Sequence, residues 1–306
     1  MGKKLFDYVI GNPPYQDESV GKQKQFSPPI YNTFMDAAYE LAEKVELIHP
    51  ARFLFNAGGT PKGWNEKMLN DPHFKVLAHE QDSSKIFSNV DIKGGVAITY
   101  RDESKNFGAI KTYTSFTELK AILKKIESQP NFHSLNEIIA NRGLYRFSKK
   151  AYEEHPKETE KLSDSRVGAS AFDSMASMFF IDKPSDGFSY GRFLGLSHAK
   201  RVYRWVRTDY FNPVSSFEKW KVLVPAANGS GAIGEVLSTP LIGEPLIGHT
   251  ETFMSIGSFD TKLEALACLK YVSTKFGRAM LGVLKITQHN SPEKWAYVPL
   301  QDFTPS

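Results

Sequence analysis

The run Leu5-Phe6-Asp7-Tyr8-Val9-Ile10-Gly11 passes without a spacer into Asn12-Pro13-Pro14-Tyr15, and this junction restricts the fold more than any other part of the chain. The first stretch has the apolar, β-branched and aromatic content of a strand. The two prolines have no N–H, fix φ, and push the residue before each of them into an extended conformation. The loop therefore holds its carbonyls in a rigid frame at the end of a strand, which is where α/β sheets place their ligands.

Such a frame suits methyl transfer to an amino group. An exocyclic amine on an adenine ring is a poor nucleophile because its lone pair is delocalised into the ring. Two acceptors set against its two N–H bonds draw the nitrogen toward tetrahedral geometry, and here Asn12 supplies a side-chain oxygen and Pro13 a main-chain carbonyl. Tyr15 adds a flat face on which an extruded base can stack. Asn and Pro are also favoured turn residues. The tetrapeptide, however, arises by chance on the order of once per thousand chains of this length, and the preceding strand supplies the context that such a motif requires.

Phe6 to Tyr15 resembles the catalytic motif of amino-group methyltransferases that use S-adenosylmethionine. The segments Pro29 to Met35, Val45 to Leu54 and Ile86 to Thr99 resemble later motifs of adenine-N6 DNA methyltransferases, in particular the gamma-class enzymes of type II restriction–modification systems and their fused IIG forms. The resemblance implies Asn12, Pro13, Pro14 and Tyr15 as catalytic-loop residues, with Asn12 also in partial contact with the cofactor. It implies Phe87 as the ring that packs on the extruded adenine opposite Tyr15. The motif likeness covers roughly the first third of the chain, and a looser likeness to a TaqI-like specificity domain covers the rest.

In that class the glycine-rich cofactor loop and the acidic ribose partner lie upstream of the catalytic motif. Almost nothing lies upstream here, so the expectation is a chain that binds S-adenosylmethionine only when another chain or segment supplies the cofactor half. The one downstream candidate, Gly229-Ser230-Gly231-Ala232-Ile233-Gly234, follows the apolar run Val222 to Pro225. A lone glycine pattern of this kind is weak, and Ser238-Thr239-Pro240 and Gly243-Glu244-Pro245 break the chain soon after. We read it as a glycine-rich turn between strands.

With 306 residues, 41% of them hydrophobic, the chain has room for two domains. A net charge of +4 permits a polyanionic partner without pointing to one. The single cysteine, Cys268, excludes an internal disulfide and reads as a buried thiol in a helix. The histidines show no metal-ligand spacing, so no metal is expected. No apolar stretch is long enough for a membrane span and there is no secretory leader, which points to the cytoplasm.

Residues 1–128 read as an α/β unit, an incomplete Rossmann-like methyltransferase sheet. Tyr31, Phe34, Ala38, Leu41 and Val45 predict an amphipathic helix over Ile30 to Lys44. Strands are expected at Glu46 to Ile48, Phe74 to Ala78 and Val96 to Tyr100, and a helix at Ser115 to Ile126. Half a sheet leaves an unpaired edge. Residues 129–306 read as an α+β, β-rich target-recognition domain. In it Ser148 to Ser165 is a densely charged, solvated loop or insertion, and a capping box at Thr261 and Glu264 starts a helix along Leu263, Leu266, Leu269, Val272 and Phe276.

Two clusters in the second half are candidates for contact with double-stranded DNA. His198 to Arg207 interleaves Lys200, Arg201, Arg204 and Arg207 with Tyr203 and Trp205, the mixture that serves phosphate contact and stacking; the alternative is a helix with a solvated basic face. Lys285-Ile286-Thr287-Gln288-His289-Asn290, ahead of an expected strand over Trp295 to Pro299, resembles a segment of restriction-system specificity domains. Gln288 and Asn290 there can pair with adenine through their amides or bond to their own backbone. The sequence thus reads as a site-specific adenine-N6 DNA methyltransferase of a restriction–modification system. A non-catalytic DNA-recognition module, or a protein-glutamine or RNA methyltransferase with the same tetrapeptide, stands as the alternative.

Overall fold

The computed structural model describes residues 4–17, 27–88 and 91–304. It is a mixed α/β protein with several sheets, divided into two compact units, Met1–Lys124 and Lys125–Ser306.

The first unit runs β1 (Phe6–Gly11), α1 (Tyr31–Leu41), β2 (Ala42–Pro50), a 3-10 turn (Ala51–Phe55), α2 (Lys62–Asn70), β3 (Phe74–Glu80), β4 (Val96–Asp102) and α3 (Thr117–Glu127), whose last residues belong to the second unit. The sheet order is β1-β2-β4-β3. β1 and β2 are parallel, with Phe6 opposite Ala42 and Gly11 opposite Leu47. β4 is antiparallel to both of its neighbours. It follows that the C-terminal ends of β1, β2 and β3 and the N-terminal end of β4 share one edge of the sheet.

α1 is shorter than its apolar spacing predicts. The chain turns from helix to strand between Leu41 and Ala42 with no loop, and Val45 is a buried strand residue. The buried face of α1 is Tyr31, Met35, Ala38 and Tyr39, whereas Phe34 and Leu41 are exposed. Tyr31 stacks on His49 at 5.8 Å, and Phe53 packs on Trp64 and Phe74, so that the core closes around the end of β2. β1 is the opposite case. Leu5, Phe6, Tyr8 and Ile10 are 73%, 56%, 44% and 73% exposed, on an edge strand that pairs only with β2 among the described residues. A strand apolar on both faces has the composition of an interior strand of a parallel sheet.

The second unit contains the short helices α4 (Lys149–Glu154), α5 (Pro156–Thr159) and α6 (Ala171–Ser174), then β5 (Tyr190–Ser197), β6 (Lys200–Arg207), β7 (Trp220–Pro225), β8 (Leu241–Gly243), β9 (Ile247–His249), β10 (Phe253–Phe259), α7 (Lys262–Ser273) and α8 (Lys275–Gly282). It has two three-stranded sheets, β10-β7-β8 and β6-β5-β9. Its core is aromatic, with Phe193 in contact with Tyr145 and Phe211, and Phe211 with Phe217, at centroid distances of 4.8–5.0 Å.

Three local expectations are corrected here. The charged stretch from Ser148 is not a solvated loop, because Ser148 caps α4 and the pairs Lys149–Glu153 and Lys150–Glu154 lie along it while Ala151 and Thr159 are buried. The stretch Trp295 to Pro299 is not a strand. Trp295 ends a 3-10 turn with its ring fully buried, and the β-pairing of Pro299 is an isolated bridge to Ser134. The capping box at Thr261 and Glu264 is formed, but α7 buries Ala265, Cys268 and Val272, leaving Leu263 exposed, and Phe276 lies on α8 after Thr274 restarts the helix. Burial pushes the Cys268 thiol up to about 12, as an inert core cysteine requires.

Candidate functional site

Because β1 and β2 are parallel, Asn12–Tyr15 and Pro50–Arg52 leave the sheet on the same edge, and the segment between β3 and β4 returns there too. The Asn12–Tyr15 loop is fixed at its far end. Ile30 N–H donates to the Tyr15 carbonyl at 3.2 Å and Asp17 N–H to the Pro28 carbonyl at 3.0 Å, which ties the loop to the start of α1. Asn12 is exposed and Pro13 half-buried. Both line an open cleft of about 770 Å³ together with Pro14, Tyr15, Gln16 and Ile30. The Asn12 amide and the Pro13 carbonyl have no partner among the described residues, so two acceptors face the cleft from adjacent residues.

Phe87 reaches the same edge by a tightly bonded loop. Phe87 N–H donates to the Ser83 carbonyl at 2.8 Å, and the Ser83 hydroxyl accepts from Ile92 N–H at 2.8 Å. Gly95 closes it with φ +76°, where a Cβ would fall 2.1 Å from the Glu80 carbonyl oxygen, so only glycine fits. Phe87 and Tyr15 meet edge to face with centroids 6.4 Å apart and planes at 69°. A flat base held between two parallel rings needs roughly 7 Å, two contacts of about 3.5 Å. The spacing is close to that, and one ring must turn for a base to lie between them. His49, at the end of β2, is not a base for this site. Burial pushes it down to about 4 against a hydrogen bond with the Pro50 carbonyl, its Nε2 lies 2.7 Å from the Thr99 hydroxyl, and its ring supports Tyr31.

The described residues do not assemble a nucleotide cradle at the glycine-rich segment. Gly229–Gly234 lies between β7 and β8 as a turn, and the N–H groups of Ser230 and Gly231 at its centre are already used, donating to the Glu235 carboxylate at 2.8 and 3.1 Å. Glu235 is in turn ion-paired with buried Lys285. Although burial pushes the Glu235 carboxyl up, Lys285 and these N–H groups hold it below the ordinary range. An internal carboxylate therefore fills the anion nest, and the residues do not fit S-adenosylmethionine there. Among the described residues there is no cluster of three or more metal-ligating side chains, and no helix long and apolar enough to cross a membrane.

The residues expected at DNA separate by burial. His198 to Arg207 is not a helix. It is a two-residue turn at His198-Ala199, both at positive φ, followed by β6 paired antiparallel with β5. Lys200 is exposed, and Arg204 is half-buried with its guanidinium on the Tyr203 carbonyl. Arg201 is committed to the Ser238 and Thr239 carbonyls at 2.8 and 3.0 Å. Arg207 is buried against Phe188 and paired with Glu154 and Asp209, which commits its charge inside the unit rather than to a phosphate. Lys285 is spent on Glu235 and the Asn228 carbonyl. Asn290 is fully buried and donates to the Pro225 carbonyl, which removes it from base reading. Gln288 alone of that segment's candidates is exposed.

Sequence reasoning passed over Arg52, half-buried beside Tyr15 with its Nε unpartnered. The available signal was its place, two residues past the end of a strand parallel to the one that ends in the tetrapeptide.

Residues 1–87 match the family described as Eco57I restriction-modification methylase. An uncharacterized adenine-specific methylase of Mycoplasma pneumoniae is 30% identical over 98 residues, 31% of this chain and 23% of that protein. A solved structure of the type IIL restriction-modification enzyme MmeI in complex with DNA covers 95% of this chain and 46% of its own, at 10% identity and a TM-score of 0.39, too distant to bear on fold or partners. The chain spans less than half the length of these proteins. Residues 1–87 are thus similar to a restriction-modification methylase family, and a stretch of 98 residues to an adenine-specific methylase.

Proposed function

We propose that the chain provides the amine-holding and base-stacking part of a site-specific adenine-N6 DNA methyltransferase, with the second unit as its target-recognition domain. The observation that carries this reading is the meeting of Tyr15 with Phe87 beside two adjacent acceptors, Asn12 and Pro13, in one cleft. The Asn12 amide oxygen and the Pro13 carbonyl take the two N–H bonds of an adenine amine and draw its lone pair out of the ring, while the two rings grip the extruded base. Neither acceptor is a strong base, so the reaction proceeds by positioning rather than by deprotonating the amine first.

The methyl donor is held elsewhere. β1, open on both faces along Leu5 to Ile10, is completed by a further segment in the same or another chain, and that segment carries the cofactor-binding half of an extended Rossmann-like sheet. S-adenosylmethionine is then the cofactor of the completed assembly. In the second unit, Lys200 and Arg204 serve phosphate and Gln288 a base edge. That Glu235 fills the only glycine-rich nest recognised in the sequence also favours a second reading, a recognition module that does not turn over.

The test is to supply the cofactor half and measure methyl transfer to duplex DNA. Asn12→Ala should lose roughly two to three orders of magnitude in turnover, as loss of one preorganised polar contact does. Unchanged turnover in Asn12→Ala removes the proposed role, and no transfer by any completed assembly favours the recognition module.

A further inference from the structure

Adjoining the Asn12–Tyr15 cleft, and sharing Tyr15 and Gln16 with it, is a second cavity of about 310 Å³. Three charged residues line it. Asp91 and Lys93 pair with each other at 2.6 Å, which leaves Arg52. Its Nε is buried with no acceptor, and it joins no ion pair among the described residues. The hydroxyl of Tyr15 in the same wall is likewise buried without a partner. Buried donors left unpaired cost free energy and call for an explanation.

The arginine is also held in place. Gly58, at φ +91°, lies so close that a Cβ there would come within 3.2 Å of the Arg52 Cβ and 3.7 Å of its Nε. The loop carrying Gly58 is braced by Asn56 in the left-handed region, by the Asn65 amide donating to the Asn56 side chain at 3.0 Å, and by the Thr60 hydroxyl donating to the Asn65 side chain at 2.7 Å. A fixed, unpaired guanidinium matches the oxygens of a phosphate. An extruded nucleotide brings its phosphates with it into the neighbourhood of the ring on which its base stacks.

We infer that Arg52 binds a DNA backbone phosphate next to the extruded adenine and so positions the nucleotide at Tyr15. The inference rests on the adenine-methyltransferase reading above. Arg52 is a positioning residue, since it acts through the backbone rather than on the amine.

The experiment uses the full chain and a duplex obtained by selection, with one phosphate at a time replaced by a neutral methylphosphonate and binding followed by fluorescence anisotropy. One position flanking the adenine should weaken binding by roughly 10- to 100-fold, the range for loss of a hydrogen bond to a charged group. In Arg52→Gln that penalty should vanish, and in Arg52→Lys it should return in part. If Arg52→Gln keeps the unmodified profile, or if no flanking phosphate responds in the unmodified chain, the inference is overturned. The second outcome needs no variant and so holds even if Arg52→Gln fails to fold. Inorganic phosphate that raises the melting temperature of the unmodified chain alone, with no methylphosphonate position responding, would assign the site to a free anion instead. Normal turnover in Asn12→Ala and Tyr15→Ala in the completed assembly would mark failure of the underlying reading, whereas their expected losses beside an unaltered Arg52→Gln profile would mark failure of this inference alone.

Discussion

Lys285 and Lys93 carry the same group and each meets a carboxylate, yet they do different things. Lys285 is 2% exposed and joined to Glu235 and to the Asn228 carbonyl, whereas Lys93 and its partner Asp91 are 67% and 74% exposed. Removing one partner of a buried pair strands a charge out of water and costs about 3–5 kcal/mol, while an exposed pair is worth about 0–1 kcal/mol. Lys285→Met should therefore lower the urea midpoint of the second unit strongly, and Lys93→Met that of the first unit hardly at all. Equal shifts would show that Glu235 finds other partners. This contrast marks how far single residues were legible. Asn12, Pro13 and Tyr15 could be placed because the tetrapeptide and its strand fix them locally. The burial of Lys285, Asn290 and Arg207 depends on chain segments distant in sequence, such as Glu235, Pro225 and Glu154, and residue type alone suggested DNA contact.

At the level of elements, the β5–β6 hairpin turns through His198 and Ala199 with φ of 49° and 63°. A two-residue turn with both residues at positive φ favours Asn-Gly, and a non-glycine residue in the left-handed region costs roughly 1–2 kcal/mol. His198→Asn with Ala199→Gly should raise stability by about 1 kcal/mol or more, read as an upward shift of the urea midpoint; no gain would mean that the His198 contact with Asp173 offsets the strain. The hairpin also separates the basic residues by role. Lys200→Ala and Arg204→Ala together should flatten the salt dependence of DNA binding by up to about two, roughly one per phosphate contact, with little change in stability. Arg207→Ala should instead unfold the unit more readily, because Glu154 and Asp209 lose their shared cation. A salt slope unaltered in the Lys200, Arg204 variant would leave those charges solvated. The sequence missed this hairpin because basic and apolar residues crowd both strand faces, which hides a period of two, and because His-Ala lacks the glycine that signals such a turn.

For the molecule as a whole, the four strands of the first sheet could be expected from local composition, but their order and directions arise from pairings between distant segments, Gly11 with Leu47 and Pro50 with Val96 among them. Each unit buries one histidine at such a junction. His49 and His249 are 0% and 1% exposed, and burial pushes each from 6.5 down to about 4. A base whose folded pKa lies below its unfolded value binds fewer protons when folded, so stability rises with pH between those two values. Above pH 6.5 both rings are neutral in either state and cost nothing. Between 6.5 and 4 the unfolded chain takes up protons that the folded one refuses, and stability falls; below 4 the loss levels off. At pH 5 the loss is about 2 kcal/mol per histidine, from 1.36 kcal/mol per pKa unit. The measurement is the urea midpoint of each unit at pH 7 and pH 5, in the unmodified chain and in His49→Gln and His249→Gln. Each variant should lower the pH 7 midpoint and also flatten the fall toward pH 5, His49→Gln only in the first unit and His249→Gln only in the second. A fall as steep in a variant as in the unmodified chain would show that its histidine titrates freely and would transfer the acid sensitivity to the paired carboxylates.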